Sequence, residues 1–177
     1  MLSVIEVIPI PYEDKYVLHQ LLQFYRYDSS EYDGHKLTQH GLYMYKYLDH
    51  QWTEDYRSPF FIKVDGELAG FALIIRDVPA EFVALSTASE SHVVSDFFVM
   101  RKFRGQGVGK HAAFTLFDQF PGVWEVRQSL GNTPANKFWM KTIHAYTNGC
   151  FIEEVIHNDR WKGPVQVFES KTRDANS

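Results

Sequence analysis

Asp96-Phe97-Phe98-Val99-Met100-Arg101-Lys102-Phe103-Arg104-Gly105-Gln106-Gly107-Val108-Gly109-Lys110 is the stretch on which the fold turns. An apolar run ends in a basic turn, and a glycine series then opens a helical pattern. A helix start leaves about four backbone N–H groups without an acceptor and carries roughly half a positive charge. Glycines let a backbone approach a ligand closely. With Arg104 and Lys110 alongside, the turn reads as an anion cradle suited to phosphates.

Two common phosphate loops do not fit it. A nucleotide triphosphate loop needs a glycine five residues before its Gly-Lys pair and a Ser or Thr after it; here those places hold Arg104 and His111. A dinucleotide fingerprint can be laid on Gly107, Gly109 and Ala112, but it needs an acidic residue about 20 positions on. Arg127-Gln128-Ser129-Leu130 offers none.

Outward from the turn, residues 92–99 read as a strand and 107–120 as a helix, with Val108, Ala112, Leu116 and Phe120 on one stripe. Pro121-Gly122 breaks it, and 123–130 forms the next strand. A strand–helix–strand unit of this kind predicts a parallel or splayed pair. Residues 134–146 form a helix with Pro134 in its first turn and its exit at Gly149. Strands at 151–156 and 165–168 close the chain. Upstream, Val4, Ile5, Val7, Ile8 and Ile10 mark a strand that Pro9 and Pro11 end or place at a sheet edge. Residues 13–25 carry apolar side chains at helical spacing, and the polar stretch 28–34 reads as a loop. A second helix is expected over 42–52, where Tyr43 pairs with Tyr47 and Met44 with Leu48. Strands 60–64 and 67–76 flank the turn dipeptide Asp65-Gly66, and 77–90 reads as a loop. The class is α/β or α+β with a mixed sheet.

The 177 residues suit one domain over 1–170 with a polar tail at 171–177. A net charge of −4 excludes a chain built to coat nucleic acid or an anionic membrane. The single cysteine, Cys150, allows no internal disulfide and no cysteine-rich metal site. The first residues carry neither a basic flank nor a long apolar run, so a cytoplasmic protein without a signal or span is expected.

Arg104, Gly107 and Gly109 also fill the pattern Arg/Gln-x-x-Gly-x-Gly/Ala. Asn132-Thr133-Pro134-Ala135-Asn136-Lys137-Phe138-Trp139 is similar to an Asn-x-x-Ala-x-x-aromatic segment. With both motifs in order on the expected elements, the chain resembles the N-acetyltransferase superfamily commonly called GNAT. The resemblance implies a mostly antiparallel sheet with a splayed parallel pair, flanking helices, and acetyl-CoA as cosubstrate. It places the pyrophosphate on Arg104, Gly105, Gln106, Gly107, Val108, Gly109 and Lys110. The pantetheine arm would lie between the splayed strands, beside the backbone of Phe98 and Val99. Asn132 and Asn136 would contact the arm or the diphosphate, although Asn132 equally suits a helix cap.

The implied reaction is direct attack of an amine on the acetyl thioester. An alkyl ammonium, with a pKa of about 10, must first lose a proton, so a base is expected. Asp96 is the first candidate, since alternation puts it on the face of Phe98. His92, four residues earlier and on that face by the same alternation, is the second, and Glu125 a lesser one. Where family members often carry a tyrosine as acid, this chain has Trp139, whose indole cannot serve. A thiol with a pKa near about 8.5 can still leave as the thiolate.

The acceptor side of this family is usually built by the first helices. Here that region is rich in tyrosine, with Asp28, Glu31, Asp33 and Asp49 among them, a mixture that suits a cationic amine. Tyr25 and Tyr27 are the candidate acceptor contacts. The expected function is an N-acetyltransferase acting on a primary amine, either of a small molecule or of a peptide. The alternative is a non-catalytic acyl-CoA-binding or sensing module, for which Trp139 speaks. Homodimers are common in the family, and no residue of this chain decides the assembly.

Overall fold

The structure is a computed structural model that describes residues 3–171; the tail residues 172–177 lie outside them. The first strand, β1 (Ile5–Pro9), is followed by helix α1 (Lys15–Asp33), a long connection and the single turn α2 (His50–Thr53). The hairpin β2 (Arg57–Val64) and β3 (Glu67–Pro79) comes next, then β4 (Glu90–Val99), α3 (Val108–Gln119) and β5 (Gly122–Arg127). Helix α4 (Thr133–Thr147) and the hairpin β6 (Ile152–His157) and β7 (Lys162–Ser170) complete the chain. The strands form one seven-stranded sheet in the order β1-β2-β3-β4-β5-β7-β6. All neighbours are antiparallel except β4 and β5. β1 is an edge strand and ends at Pro9, in keeping with the expected role of the prolines there.

Alternation along the strands assigns the two faces. Phe61 of β2 and Phe71, Leu73 of β3 meet Leu18, Leu21 and Leu22 of α1. Their strand neighbours Phe60, Ala72 and Ile74 meet Ala113, Leu116 and Phe117 of α3 and Ile143 of α4. One helix thus covers one face and two helices the other.

Two expectations about the N-terminal half are corrected. Residues 28–33 are helical, not loop, and α1 ends only at Gly34, whose φ of +68° caps it. The polar side chains there are used locally: Ser29 and Ser30 donate to the carbonyls of Arg26 and Tyr27, while Asp28 is held by Arg101 and Arg104. Conversely, the expected helix over 42–52 shrinks to His50–Thr53. The backbone of Tyr43 is committed elsewhere, to the side chain of Gln23, through N–H···Oε1 at 2.8 Å and Nε2–H···O at 3.1 Å.

Candidate active site

β4 and β5 pair at only three positions: His92 with Trp124, Val93 with Glu125, and Val94 with Val126. β4 continues to Val99, so beyond Val94 its edge toward β5 has no strand neighbour. A cleft of about 590 Å³ includes this divergence. Phe97 and Val99 line it from β4, Phe138 and Trp139 from α4, and Tyr25 and Tyr32 from α1. The turn supplies Arg104, Gly105, Gly107, Val108, Gly109 and Lys110.

The turn has the conformation an anion cradle requires. Gly105 and Gly107 sit at φ +74° and +81°, left-handed values that other residues rarely adopt. Gly107 caps α3, whose first internal bond runs from the His111 N–H to the Gly107 carbonyl at 2.9 Å. The N–H groups of Val108, Gly109 and Lys110 therefore have no acceptor within the helix. A Cβ at Gly107 would find no atom within 4 Å, so the space above it is open for a ligand. The residues present fit a diphosphate bound at a helix start.

Arg104 is engaged by the protein itself. Its Nε donates to the Val99 carbonyl at 2.7 Å, and its guanidinium lies 5.5 Å from the centre of the Phe98 ring. Arg104 and Arg101 both bond the carboxylate of Asp28, at 2.6 and 2.7 Å, tying the turn to α1. Burial by itself would raise the Asp28 carboxyl, but the two guanidinium bonds outweigh it and hold it below the usual value. The amide of Gln106 folds back onto the Lys102 carbonyl at 2.7 Å. Phe98 turns its ring away from the cleft, into the core beneath α1.

At the divergence β4 carries a bulge. Leu73 pairs with Asp96 and Ile74 with Val94, so Ser95 is an extra residue without a partner on β3. Asp96 is not itself among the cleft-lining residues; it is buried among the tyrosines of the α1 face, in hydrogen-bonding contact with Tyr25, which does line the cleft. Its Oδ2 accepts hydrogen bonds from the Tyr45 hydroxyl at 2.6 Å and from Ser95 Oγ at 2.9 Å. Burial pushes the Asp96 carboxyl above the usual range, against the opposing pull of these bonds. Tyr25, which lines the cleft, is itself raised well above the ordinary phenol value, first by burial and then by the charge of Asp96.

The bulge also overturns the expectation that His92 shares a face with Asp96. One extra residue reverses the alternation, and His92 lies on the opposite side of the sheet. It packs against Phe120 and Trp124, hydrogen bonds the Pro121 carbonyl at 3.2 Å and is not among the cleft-lining residues. Glu125 is wholly buried and accepts the backbone N–H groups of Ala84, Leu85 and Ser86, each at 2.9 Å. It anchors a loop and does not face the cleft.

Asn132 lines the cleft and also caps α4, accepting the Ala135 N–H at 3.2 Å. Asn136 is corrected: its amide donates to Gln128 at 3.1 Å and Glu153 at 3.0 Å, on the side toward β6, away from the cleft lining. Tyr27 is 67% exposed on the outside of α1 and does not line the cleft, whereas Tyr25 does. Trp139 packs edge-on against Phe97 at 5.0 Å and forms wall and core together. Sequence reasoning missed Tyr45, because its contact with Asp96 spans 51 residues and leaves no local pattern.

A mixed sheet that splays beside a glycine-lined helix start is the arrangement that the resemblance to the coenzyme A-dependent acetyltransferases implies. A sequence profile of the acetyltransferase (GNAT) family matches residues 18–144. The chain belongs to that family and is an acetyl-CoA-dependent acetyltransferase. A search of curated proteins by sequence returns no match. Among solved structures it is similar to an acetyltransferase from Thermus thermophilus, at 14% identity and a TM-score of 0.65, over 94% of this chain and 97% of that one. It is also similar to the aminoglycoside acetyltransferase AAC(6')-Ib in complex with coenzyme A, at 15% identity and a TM-score of 0.62, over 94% and 95% of the chains. A third is spermidine N-acetyltransferase from Vibrio cholerae with coenzyme A and spermine, at 13% identity and a TM-score of 0.57, over 94% and 95%. Among the described residues no helix is long and apolar enough to cross a membrane.

Proposed function

We propose that this chain moves the acetyl group of acetyl-CoA to the primary amine of a small cationic acceptor, which attacks the thioester directly. The observation that carries the reading is the continuity of one cleft. It joins the glycine turn, the strand divergence and the wall of Tyr25, beside Asp96. Two similar structures support the reading: AAC(6')-Ib holds coenzyme A, and spermidine N-acetyltransferase from Vibrio cholerae holds coenzyme A together with the amine spermine.

When bound, acetyl-CoA supplies an activated acyl group. The N–H groups of Val108, Gly109 and Lys110 would hold its diphosphate, and the edge of β4 near Val99 would flank its arm. Asp96 takes the proton from the acceptor ammonium, a task served by a carboxyl raised toward neutrality. Tyr25 and Glu31, both lining the cleft, favour a cationic acceptor. Trp139 gives no proton, so the thiolate leaves unassisted from that side.

Thiol release from acetyl-CoA across a panel of primary amines tests the reading. At least one cationic amine is expected to turn over. Asp96→Asn should lower turnover by about 10²-fold or more, the contribution of a general base, at unchanged coenzyme A affinity. Tight coenzyme A binding with no turnover on any amine would favour a binding or sensing module instead.

A further inference from the structure

Between α1 and α2 the chain folds back on itself. Leu37 bridges Tyr43, the Thr38 N–H bonds the Leu42 carbonyl at 2.9 Å, and the Gly41 N–H bonds the Thr38 carbonyl at 3.0 Å. This small hairpin is clamped to α1 at its returning arm, where Gln23 takes both the N–H and the carbonyl of Tyr43. Two residues further on, Tyr45 reaches Asp96 with its hydroxyl at 2.6 Å. Tyr45 and Ser95 both donate to Oδ2. Two donors on one oxygen restrain the rotation of the carboxylate, which Tyr25 also hydrogen bonds.

We propose that Tyr45 is a positioning residue for Asp96, and that Gln23, by fixing the backbone at Tyr43, sets where that hydroxyl is delivered. The proposal rests on the reading of Asp96 as the base. It makes the connection between α1 and α2 part of the machinery of the reaction, although none of its residues lines the cleft described above.

The charged and titratable groups that face Asp96 are Tyr25 and Arg26 of α1 and Tyr45 of the hairpin. Its partner on β3 is the apolar Leu73. A hydrogen bond donated to the carboxylate favours the charged form, so the Tyr45 bond lowers the pKa of Asp96. Without it the pKa rises further and the basic form appears only at higher pH. The acidic limb of the pH profile of kcat/KM then moves upward.

The test uses the full chain, acetyl-CoA and the best amine found by thiol release, with kcat/KM followed across the acidic limb. Tyr45→Phe is expected to move the limb up by about one pH unit, equivalent to about a tenfold loss below it, with KM for acetyl-CoA unchanged. Gln23→Ala keeps the hydroxyl but loosens the clamp, so a smaller move in the same direction is expected. If both variants keep the parental limb while Asp96→Asn loses turnover, the positioning role is overturned and the base survives. A lower folded fraction with an unmoved limb overturns it equally. If Asp96→Asn keeps full turnover, the base and its positioning residue fall together. Should Tyr45→Phe fail to fold, Gln23→Ala decides alone: a raised limb supports the proposal and a parental limb overturns it.

Discussion

Gly107→Ala separates a ligand-binding glycine from a merely conformational one. The backbone at Gly107 has φ +81°, and a Cβ added there meets nothing within 4 Å. The methyl group therefore causes no clash inside the protein, and the expected cost to folding is backbone strain alone, about 1–2 kcal/mol. For a chain of this size that lowers Tm by roughly 2–8 °C. Gly66 provides a matched control. It sits in the β2–β3 turn at φ +79°, also with nothing within 4 Å of an added Cβ, and lines no part of the cleft. Both variants should lose similar stability, measured by thermal unfolding. Only Gly107→Ala should weaken coenzyme A, because its methyl group occupies the space a phosphate must enter. A rise in Kd of at least about tenfold, equivalent to about 1.4 kcal/mol, is expected by titration calorimetry. Unchanged coenzyme A affinity in Gly107→Ala would refute the placement of the diphosphate. Equal weakening in Gly66→Ala would show that affinity follows global stability and not the turn.

Two further perturbations address the supports of the site. Glu125→Gln removes the charge that holds the Ala84, Leu85 and Ser86 N–H groups and the Arg127 side chain, and should cost about 3–5 kcal/mol in urea unfolding at neutral pH. Burial alone would raise this carboxyl, but the three N–H bonds outweigh it and its pKa lies below the usual value. Its contribution is therefore present above the unfolded value of about 4.3 and is lost as pH falls through the lower folded one. The gap between parent and variant should close in acid, and a gap under about 1 kcal/mol at neutral pH would contradict the role. Asp28→Ala releases Arg101 and Arg104 from partly exposed ion pairs, which are each worth about 0–1 kcal/mol, so stability should change little. Two uncompensated cations beside the cradle should tighten coenzyme A binding at low salt, and the gain should fade as salt screens them. Weaker binding at low salt would show that Asp28 serves the cofactor by holding the turn in place.

The strands, the β2–β3 hairpin, α3 and α4 were legible because their periodicity and their Gly and Pro boundaries are local. The cradle was legible for the same reason: Arg104, Gly107 and Gly109 stand together in the chain. What was not legible depends on distant partners. Asp28, Ser29 and Ser30 read as loop by composition, yet Asp28 is fixed by arginines 73 and 76 residues away. Tyr43 to Leu48 has helical spacing, but Gln23, 20 residues upstream, takes the Tyr43 backbone first. Alternation puts His92 and Asp96 on one face only if the strand is unbroken. The bulge at Ser95 arises from pairing with β3, and nothing in the sequence of β4 announces it.

That one residue has a consequence for how the chain can vary. A strand read in steps of two has a phase, and Ser95 resets it. The bulge needs a residue at Ser95 more than a particular one, although the hydroxyl there also holds Asp96. Deletion of Ser95 would be another matter. The β4 segment from Asp96 to Val99 would either slide out of register with β3 or exchange its two faces, sending Phe97 and Val99 toward α1 and Asp96 toward α3. The strand should therefore accept changes of spelling far more readily than a change of length.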